Sequence, residues 1–358
     1  MAHIDDASVV IVGGGVTGLS SGWWLARSGV DVIVIEKGVV GWEASGRNGG
    51  GATHVYSPFG MEEQRLWPQM DDLLGYPTEY QPNLIMVLLS EQQRANFARF
   101  AEFGKESGFT SEFLDPKQLK ELVPIVGDNA IGGVLTHYGG HANPQRTVQA
   151  YAWAFQDHGG RIYQHHTVTD LKMEGDRITE VVTDQGTFGA DFVIDAAGPQ
   201  TGFIAEKVGV DVPLAHGRVE IIVTAPIPRM WRGGIGGNGL YGRQTKRGNL
   251  AYGGGPHEWI DVTDMGTPEK QTTPLIRNLS RRLAELFPGA ADVPVIRSWG
   301  GVVEQTPDGS PVVERMDSPN NFIVATMSSV GFGLSPAVGK AVSELVLHGE
   351  CTFTDLSP

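Results

Sequence analysis

SVVIVGGGVTGLSSGWWLARSGVDVIVIEK, residues 8–37, changes character three times. Ser8 to Val12 is a continuous apolar, β-branched run, as a strand buried on both faces should be. Leu19 to Arg27 reads as a helix, and Gly29 suits its C-terminal cap. DVIVIEK reads as a second strand and ends in Glu36. Between strand and helix lies Gly13-x-Gly15-x-x-Gly18, and Glu36 stands 18 residues beyond Gly18. That order is the strand–turn–helix–strand unit of a dinucleotide site. Gly13 allows the tight turn, Gly15 lets backbone approach a pyrophosphate, and Gly18 lets helix pack on strand. The helix N-terminus, at Val16 and Thr17, stabilises the phosphates. Glu36 favours a ribose with a free 2′-hydroxyl, hence NAD or FAD rather than NADP.

The context matters more than the spacing. With 49 glycines in 358 residues, chance supplies about one such match. A second one occurs at Gly234, Gly236 and Gly239 in GGIGGNG. It has no apolar strand before it and no helix after it, so a loop is expected there.

Just beyond the first unit comes EASGRNGGGATH, residues 43–54, with four glycines around the cation Arg47. Each glycine weakens a helix or a strand, so irregular backbone is expected. An NAD domain would run on into further βα units; this chain breaks into a glycine loop and then a long mixed region.

Composition narrows the classes. At 41% hydrophobic, 358 residues can form one large domain or two intermingled ones. The net charge of −14 argues against nucleic acid and anionic membranes as partners. The one cysteine, Cys351, excludes an internal disulfide and a cysteine-based metal site. The first residues are acidic where a signal peptide is basic, and their apolar run is too short to span a bilayer. A cytoplasmic protein with no transmembrane segment is the expectation. The histidines His137, His141, His165 and His166 lack ligand spacing and clustered carboxylates, so no metal is expected.

Further along, residues 61–75 read as a helix interrupted at Pro68. Leu84 to Leu89 reads as a strand, Ser90 to Ser107 as an amphipathic helix with Phe97, Phe100 and Phe103 on one face, and DPKQLKELVP as a short helix. A helix is predicted from Pro144 to Asp157, then a β-meander ending in FVIDAAG, whose small residues mark a ligand-binding strand end. Residues 211–260 are strand-rich. Helices are predicted from Pro274 to Phe287 and from Pro336 to Leu347, the latter after a glycine turn at Gly331–Gly333.

The ordered set VVIVGGGVTGLSSGWWLARSGVDVIVIEK, ASGRNGGG, GHANPQRTVQAYAWAFQDHGGRIYQHHTVTDL, ADFVIDAAGP, RSWGGVVEQTPDGSPVV and NNFIVATMSSVGFGLSPAVGKAVSELV resembles the FAD-dependent amine and amino-acid oxidoreductases. That family includes glycine oxidase, D-amino acid oxidase and sarcosine oxidase, and the resemblance covers nearly the whole chain. YGRQTKRGNLAYGGG with WGGVVEQTPDG looks most like the flavin β subunits of heteromeric sarcosine, proline, hydroxyproline and opine oxidases or dehydrogenases. The resemblance implies an α/β (α+β) architecture. A Rossmann-like FAD-binding domain of glutathione-reductase type is assembled from residues 1–80, 145–210 and 297–358. A mainly antiparallel β substrate domain is built from 81–144 and 211–296.

It also implies roles. Gly13, Gly15 and Gly18 would hold the FAD pyrophosphate, Glu36 the adenosine ribose, and Lys37 would sit near the adenine end. Ser45, Gly46, Arg47, Asn48, Gly49 and Gly50 would wrap the pyrophosphate and the ring edge, and Val168 would meet the adenine. Ala197, Gly198 and Gly300 would pass close to the cofactor. Gly331, Phe332, Gly333 and Leu334 would place amides near the flavin N1 and C2 carbonyl, where they favour negative charge and raise the reduction potential. The reaction implied is hydride transfer from the α-carbon of an amine to flavin N5, helped by positioning residues rather than a triad.

The departures matter as much. The family's carboxylate-binding arginine falls at Val303, and a lysine of monomeric sarcosine oxidase falls at Gly333. Its oxygen-activating lysine falls at Ala251. Its flavin-linking cysteine falls in WGGVV, which has none. The expectation is non-covalent FAD and a dehydrogenase that passes electrons to an acceptor other than oxygen. Its substrate would be a secondary amine or imino or N-alkyl amino acid, and it would work beside other subunits. A second flavin at a subunit interface stays open. His54, Arg243 and Tyr252 are the candidate catalytic residues. Arg243, Lys246, Arg247 and His54 are the candidate cations for a substrate carboxylate, and Tyr241 is either a core residue or a substrate contact. Two alternatives stand beside this: a D-amino acid or glycine-type oxidase, and an electron-transfer subunit with no substrate of its own.

Overall fold

The structure is a computed structural model that describes residues 2–54, 57–106, 108–262 and 272–352. Two sheets organise it. In the first, His3–Val12 lies between Val32–Glu36 and Thr187–Asp195, parallel to both. Arg161–Gln164 extends the sheet on one side and Phe322–Thr326 on the other, again in parallel. Parallel strands need cover on both faces, which is why their sequences read as unbroken apolar runs. One face is covered by the helices Val16–Arg27, Pro144–Asp157 and Gly331–His348, around Leu19, Tyr151 and Val338. The other is covered by the antiparallel pair Val168–Glu174 and Arg177–Thr183 and the helix Thr201–Glu206.

The second sheet has ten strands and is mainly antiparallel. The helix Thr273–Leu286 packs on one face, burying Leu279 and Leu283 against Ile222 and Leu250. The opposite face carries Tyr241 and Arg243 over Gly49 and Gly50.

Several expectations change. Residues 43–54 are not wholly irregular: Ala44–Arg47 forms a helical turn and Gly51–Ala52 pairs with the strand Gly132–His141. The turn survives its glycine because Gly46 is packed, with the position of a Cβ only 2.2 Å from the Gly41 carbonyl oxygen. The second glycine triplet is not a loop: Gly234–Gly236 is a strand parallel to Leu84–Met86. Val295–Gln305 hydrogen-bonds to Ala215–Pro226 in the second sheet, so residues 297–305 lie outside the first sheet. The last helix begins at Gly331, not Pro336. Pro336 has no amide to give the Phe332 carbonyl, and the Ser335 hydroxyl donates to it instead at 2.9 Å.

Candidate functional site

A cleft of about 1030 Å³, partly open to solvent, runs across the carboxyl ends of the parallel strands. At its centre Gly13 has φ +111°, and a Cβ there would stand 2.4 Å from the Ala196 carbonyl oxygen. A Cβ on Gly18 would stand 2.0 Å from the Gly13 carbonyl oxygen. Both glycines are thus demanded by neighbouring backbone. Gly15 opens the helix Val16–Arg27 without a side-chain cap of its own. The Ser45 hydroxyl accepts from the Val16 amide at 3.0 Å in its place. Thr17 lines the cleft beside it. The result is a cradle of amides at a helix N-terminus, suited to phosphate.

At one end Glu36 is buried and accepts from the Gly14 amide at 2.8 Å and the Gly38 amide at 2.7 Å. Burial raises its pKa, with the two amides opposing that. The adjacent Lys37 and Val168 also line the cleft. At the other end stand Ala197, Gly198, Gly331 and Phe332. Asn48 folds the glycine loop: its amide donates to the Ala44 and Ser45 carbonyls, and its carbonyl accepts from Gly50. These residues fit a flavin dinucleotide, since the pinched glycines, the capping serine and the twice-bonded carboxylate are arranged along one continuous cavity.

Gly18, Gly46, Arg47, Gly49, Gly50, Gly300, Gly333 and Leu334 are not among the residues that line this cleft. Gly18 and Gly46 serve packing. Arg47 donates to the Trp42 carbonyl at 2.5 Å and the Gly300 carbonyl at 3.0 Å, with its guanidinium 4.7 Å from the Trp42 ring centre. It ties the turn Ala44–Arg47 to the strand carrying Gly300. Gly49 lies under the Tyr241 ring, and Gly50 has φ +83° with the Ala142 carbonyl against it. The Gly333 carbonyl accepts from the Trp67 indole at 2.7 Å, and Leu334 is buried in the helix-covered core.

The sequence reading missed Glu304. It lines the cleft, is buried, and accepts from the Met327 amide at 3.1 Å. Burial raises its pKa. A carboxylate embedded in the strand WGGVVEQ was the available signal, because strand interiors rarely bury an acid without a use for it. Glu43, His166, Gln200 and Ser329 also line the cleft.

The three catalytic candidates separate. His54 Nδ1 lies 2.8 Å from Glu63 Oε2, and the carboxylate is fully buried. Burial pulls the imidazole down, but the charge and hydrogen bond of Glu63 outweigh it and raise the pKa. The ring abuts Gly333, where a Cβ would stand 2.9 Å from it. Arg243 faces the glycine loop and donates to the Gly49 carbonyl. Tyr252 does not face that side. It is paired with Gly242, while Tyr241 is paired with Gly253, so strand alternation sends Tyr252 to the opposite face. There it is fully buried against Phe287, its hydroxyl without a partner among the described residues. Lys246 and Arg247 are exposed in the turn between Leu240–Gln244 and Asn249–Gly254. No helix among the described residues is long and apolar enough to cross a membrane.

The chain is 26% identical over 359 residues to the sarcosine oxidase β subunit of Rhodobacter capsulatus, covering 95% of this chain and 85% of that one. It is 28% identical over 375 residues to glycine oxidase of Geobacillus kaustophilus, covering 100% and 97%. The structure of L-proline dehydrogenase from P. horikoshii superposes with a TM-score of 0.89 at 23% identity, covering 98% and 96%, which shows a shared fold. The model of the FAD dependent oxidoreductase family matches residues 8–345. With a complete dinucleotide cleft and that match over most of its length, the chain belongs to the FAD-dependent oxidoreductases.

Proposed function

We propose that this chain oxidises the C–N bond of a secondary amine or of an imino or N-alkyl amino acid, and that its electrons pass to an acceptor other than oxygen. The carrying observation is a cofactor cleft lined by Val303, in a chain whose Val303, Gly333 and Ala251 are small or apolar where the resembling oxidases carry cations. The β subunits of sarcosine oxidase among its relatives support both the substrate class and a role within a heteromeric assembly. FAD supplies the two-electron acceptor.

The chain's own groups do the rest. The amides around Gly13 and Gly15 hold the phosphates, and Glu36 the ribose. The N-terminus of Gly331–His348 presents its partial positive charge to the far end of the cleft. His54, paired with Glu63, holds a proton beside Gly333. Tyr241 and Arg243 form the wall over the glycine loop and orient the substrate against it, which is the larger part of the rate for such a reaction.

Anaerobic mixing of the FAD-loaded protein with an amine panel tests this. Bleaching by N-alkyl or imino amino acids, with little peroxide on admitting air, is expected. Bleaching by D-amino acids or glycine with rapid peroxide release would support a D-amino acid or glycine-type oxidase instead, and no bleaching by any amine would support an electron-transfer subunit.

A further inference from the structure

We propose that Glu304 meets the cofactor as a neutral carboxyl group that donates a hydrogen bond to FAD, with Gln200 as a second donor on the same wall, and that alkali therefore loosens the cofactor. This holds whichever amine is oxidised.

The two groups reach the cleft from elements far apart in the chain. Glu304 lies near the end of the strand Val295–Gln305 in the second sheet. Gln200 ends the helical turn Gly198–Gln200, just after the first sheet's strand Thr187–Asp195. Both line the cleft, with Glu304 7% exposed and Gln200 3%. Glu304 Oε1 accepts from the Met327 amide at 3.1 Å and the Thr326 hydroxyl at 3.4 Å. Oε2 accepts from neither. It stands 3.8 Å from the position of a Cβ on Gly198, which also lines the cleft. Gln200 Nε2 is buried without a hydrogen-bond partner among the described residues. A buried polar group left unpaired in a binding cleft is made for a ligand.

The surroundings favour the neutral acid. Glu36, at the other end of the cleft, has an amide on each oxygen, and Lys37 favours its charge. Glu304 has one amide, and the charged groups around it are engaged elsewhere. His216, its register partner on Ala215–Pro226, has Nε2 2.8 Å from the Pro199 carbonyl oxygen, and its charge is the weakest influence on Glu304. Arg218 on that strand pairs with Glu258 at 2.9 Å. Asp195 is another buried acid, accepting from the Ala197 amide at 3.1 Å. Exposed Asp308, beyond Thr306, accepts from the Ser310 amide at 2.9 Å. A buried carboxyl with so little to stabilise its anion keeps its proton. It then donates through one oxygen while still accepting at the other. A flavin offers lone pairs on ring carbonyls, ring nitrogens and ribityl oxygens. Removing the proton turns the donor into an anion facing those lone pairs, so the contact changes from attraction to repulsion.

The test dilutes the FAD-loaded protein across a pH series and follows FAD release by the fluorescence of free flavin. The contact is complete at low pH and is lost as pH rises through the raised pKa of Glu304. Release should then quicken by up to about tenfold per pH unit. Glu304→Gln keeps a neutral donor, so it should release FAD within about threefold of the low-pH rate and lose the alkaline quickening. Glu304→Leu should release quickly at every pH, and Gln200→Leu should quicken release by the same factor throughout, since an amide does not titrate. Infrared spectra of the unaltered protein should show a protonated-carboxyl band that shifts when FAD leaves and is absent from Glu304→Gln. A release rate that does not rise with pH, or no such band in the unaltered protein, would overturn the proposal without any variant. So would an alkaline rise that persists undiminished in Glu304→Gln.

Discussion

Gly13–Gly15–Gly18 and Gly234–Gly236–Gly239 share one spacing and are put to different uses. In the first, the atom that a Cβ on Gly18 would strike is the backbone carbonyl of Gly13, 2.0 Å away. In the second, a Cβ on Gly239 would strike Nη2 of Arg282 at 1.7 Å, the far end of a flexible side chain, and one on Gly234 would strike the His141 ring. The first triplet is therefore held by main chain at both ends. The second makes room for side chains, and its neighbourhood is the mainly antiparallel second sheet. Identical patterns can thus serve a cofactor in one place and a neighbouring residue in another, according to what flanks them.

The largest effect should come from Gly18→Ala. Forcing a methyl against fixed backbone costs about 1–3 kcal/mol, and the cradle cannot re-form around it. Bound FAD, measured by absorbance after gel filtration, should fall below about a tenth of the unaltered content at equal protein, given how closely backbone must approach the phosphates. Gly239→Ala should keep FAD content within about twofold, since Arg282 can swing aside and only the φ of +66° is strained. Equal loss in both variants would erase the distinction between the two triplets.

A medium effect is expected across the cleft at Glu304. Burial raises its pKa above the ordinary 4.5. For an acid raised on folding, the stabilising contribution is complete below the unfolded pKa and is lost as pH rises through the folded value. The melting temperature of the apo chain should therefore decline as pH rises above about 4.5, and Glu304→Gln should flatten part of that decline. Glu36, Glu63, Asp195 and Glu220, also raised by burial, contribute to what remains. Parallel pH curves for the two proteins would show that Glu304 does not stay protonated in the fold.

The smallest effect belongs to Tyr252, on the helix-covered face of the second sheet. Tyr252→Phe removes a buried hydroxyl without a partner, so stability should change by less than about 1 kcal/mol, or rise. Turnover should be unchanged, which would set it apart from Arg243, one face away on the next strand. A loss of turnover would return Tyr252 to the active site.

How much was legible follows from range. The unit 8–37 was readable because its signals are local: β-branched runs, a helix with its glycine stop, and an acid at fixed distance. The helix Pro144–Asp157 was readable for the same reason, with Asn143 capping it and proline at its first position. Glu304 and His141 were not singled out for a ligand, because what makes them informative is burial and the neighbours that other segments bring. Arg47 was noticed for its charge, yet its partners are the carbonyls of Trp42 and of the distant Gly300.

By itself the sequence determined the dinucleotide unit, the glycine loop that follows it and the flavin-enzyme family, since each is a contiguous pattern whose physics acts within a few turns of chain. Only the tertiary structure decided which face Tyr252 and Arg243 occupy. Strand alternation leaves the sign of a face undefined until a helix covers one side, and Thr273–Leu286 covers the side of Tyr252. It likewise decided that Arg243 and His141, 102 residues apart in the chain, both neighbour Gly234, the one as its strand partner and the other through its ring. Such a neighbourhood depends on sheet register, which no local spacing encodes.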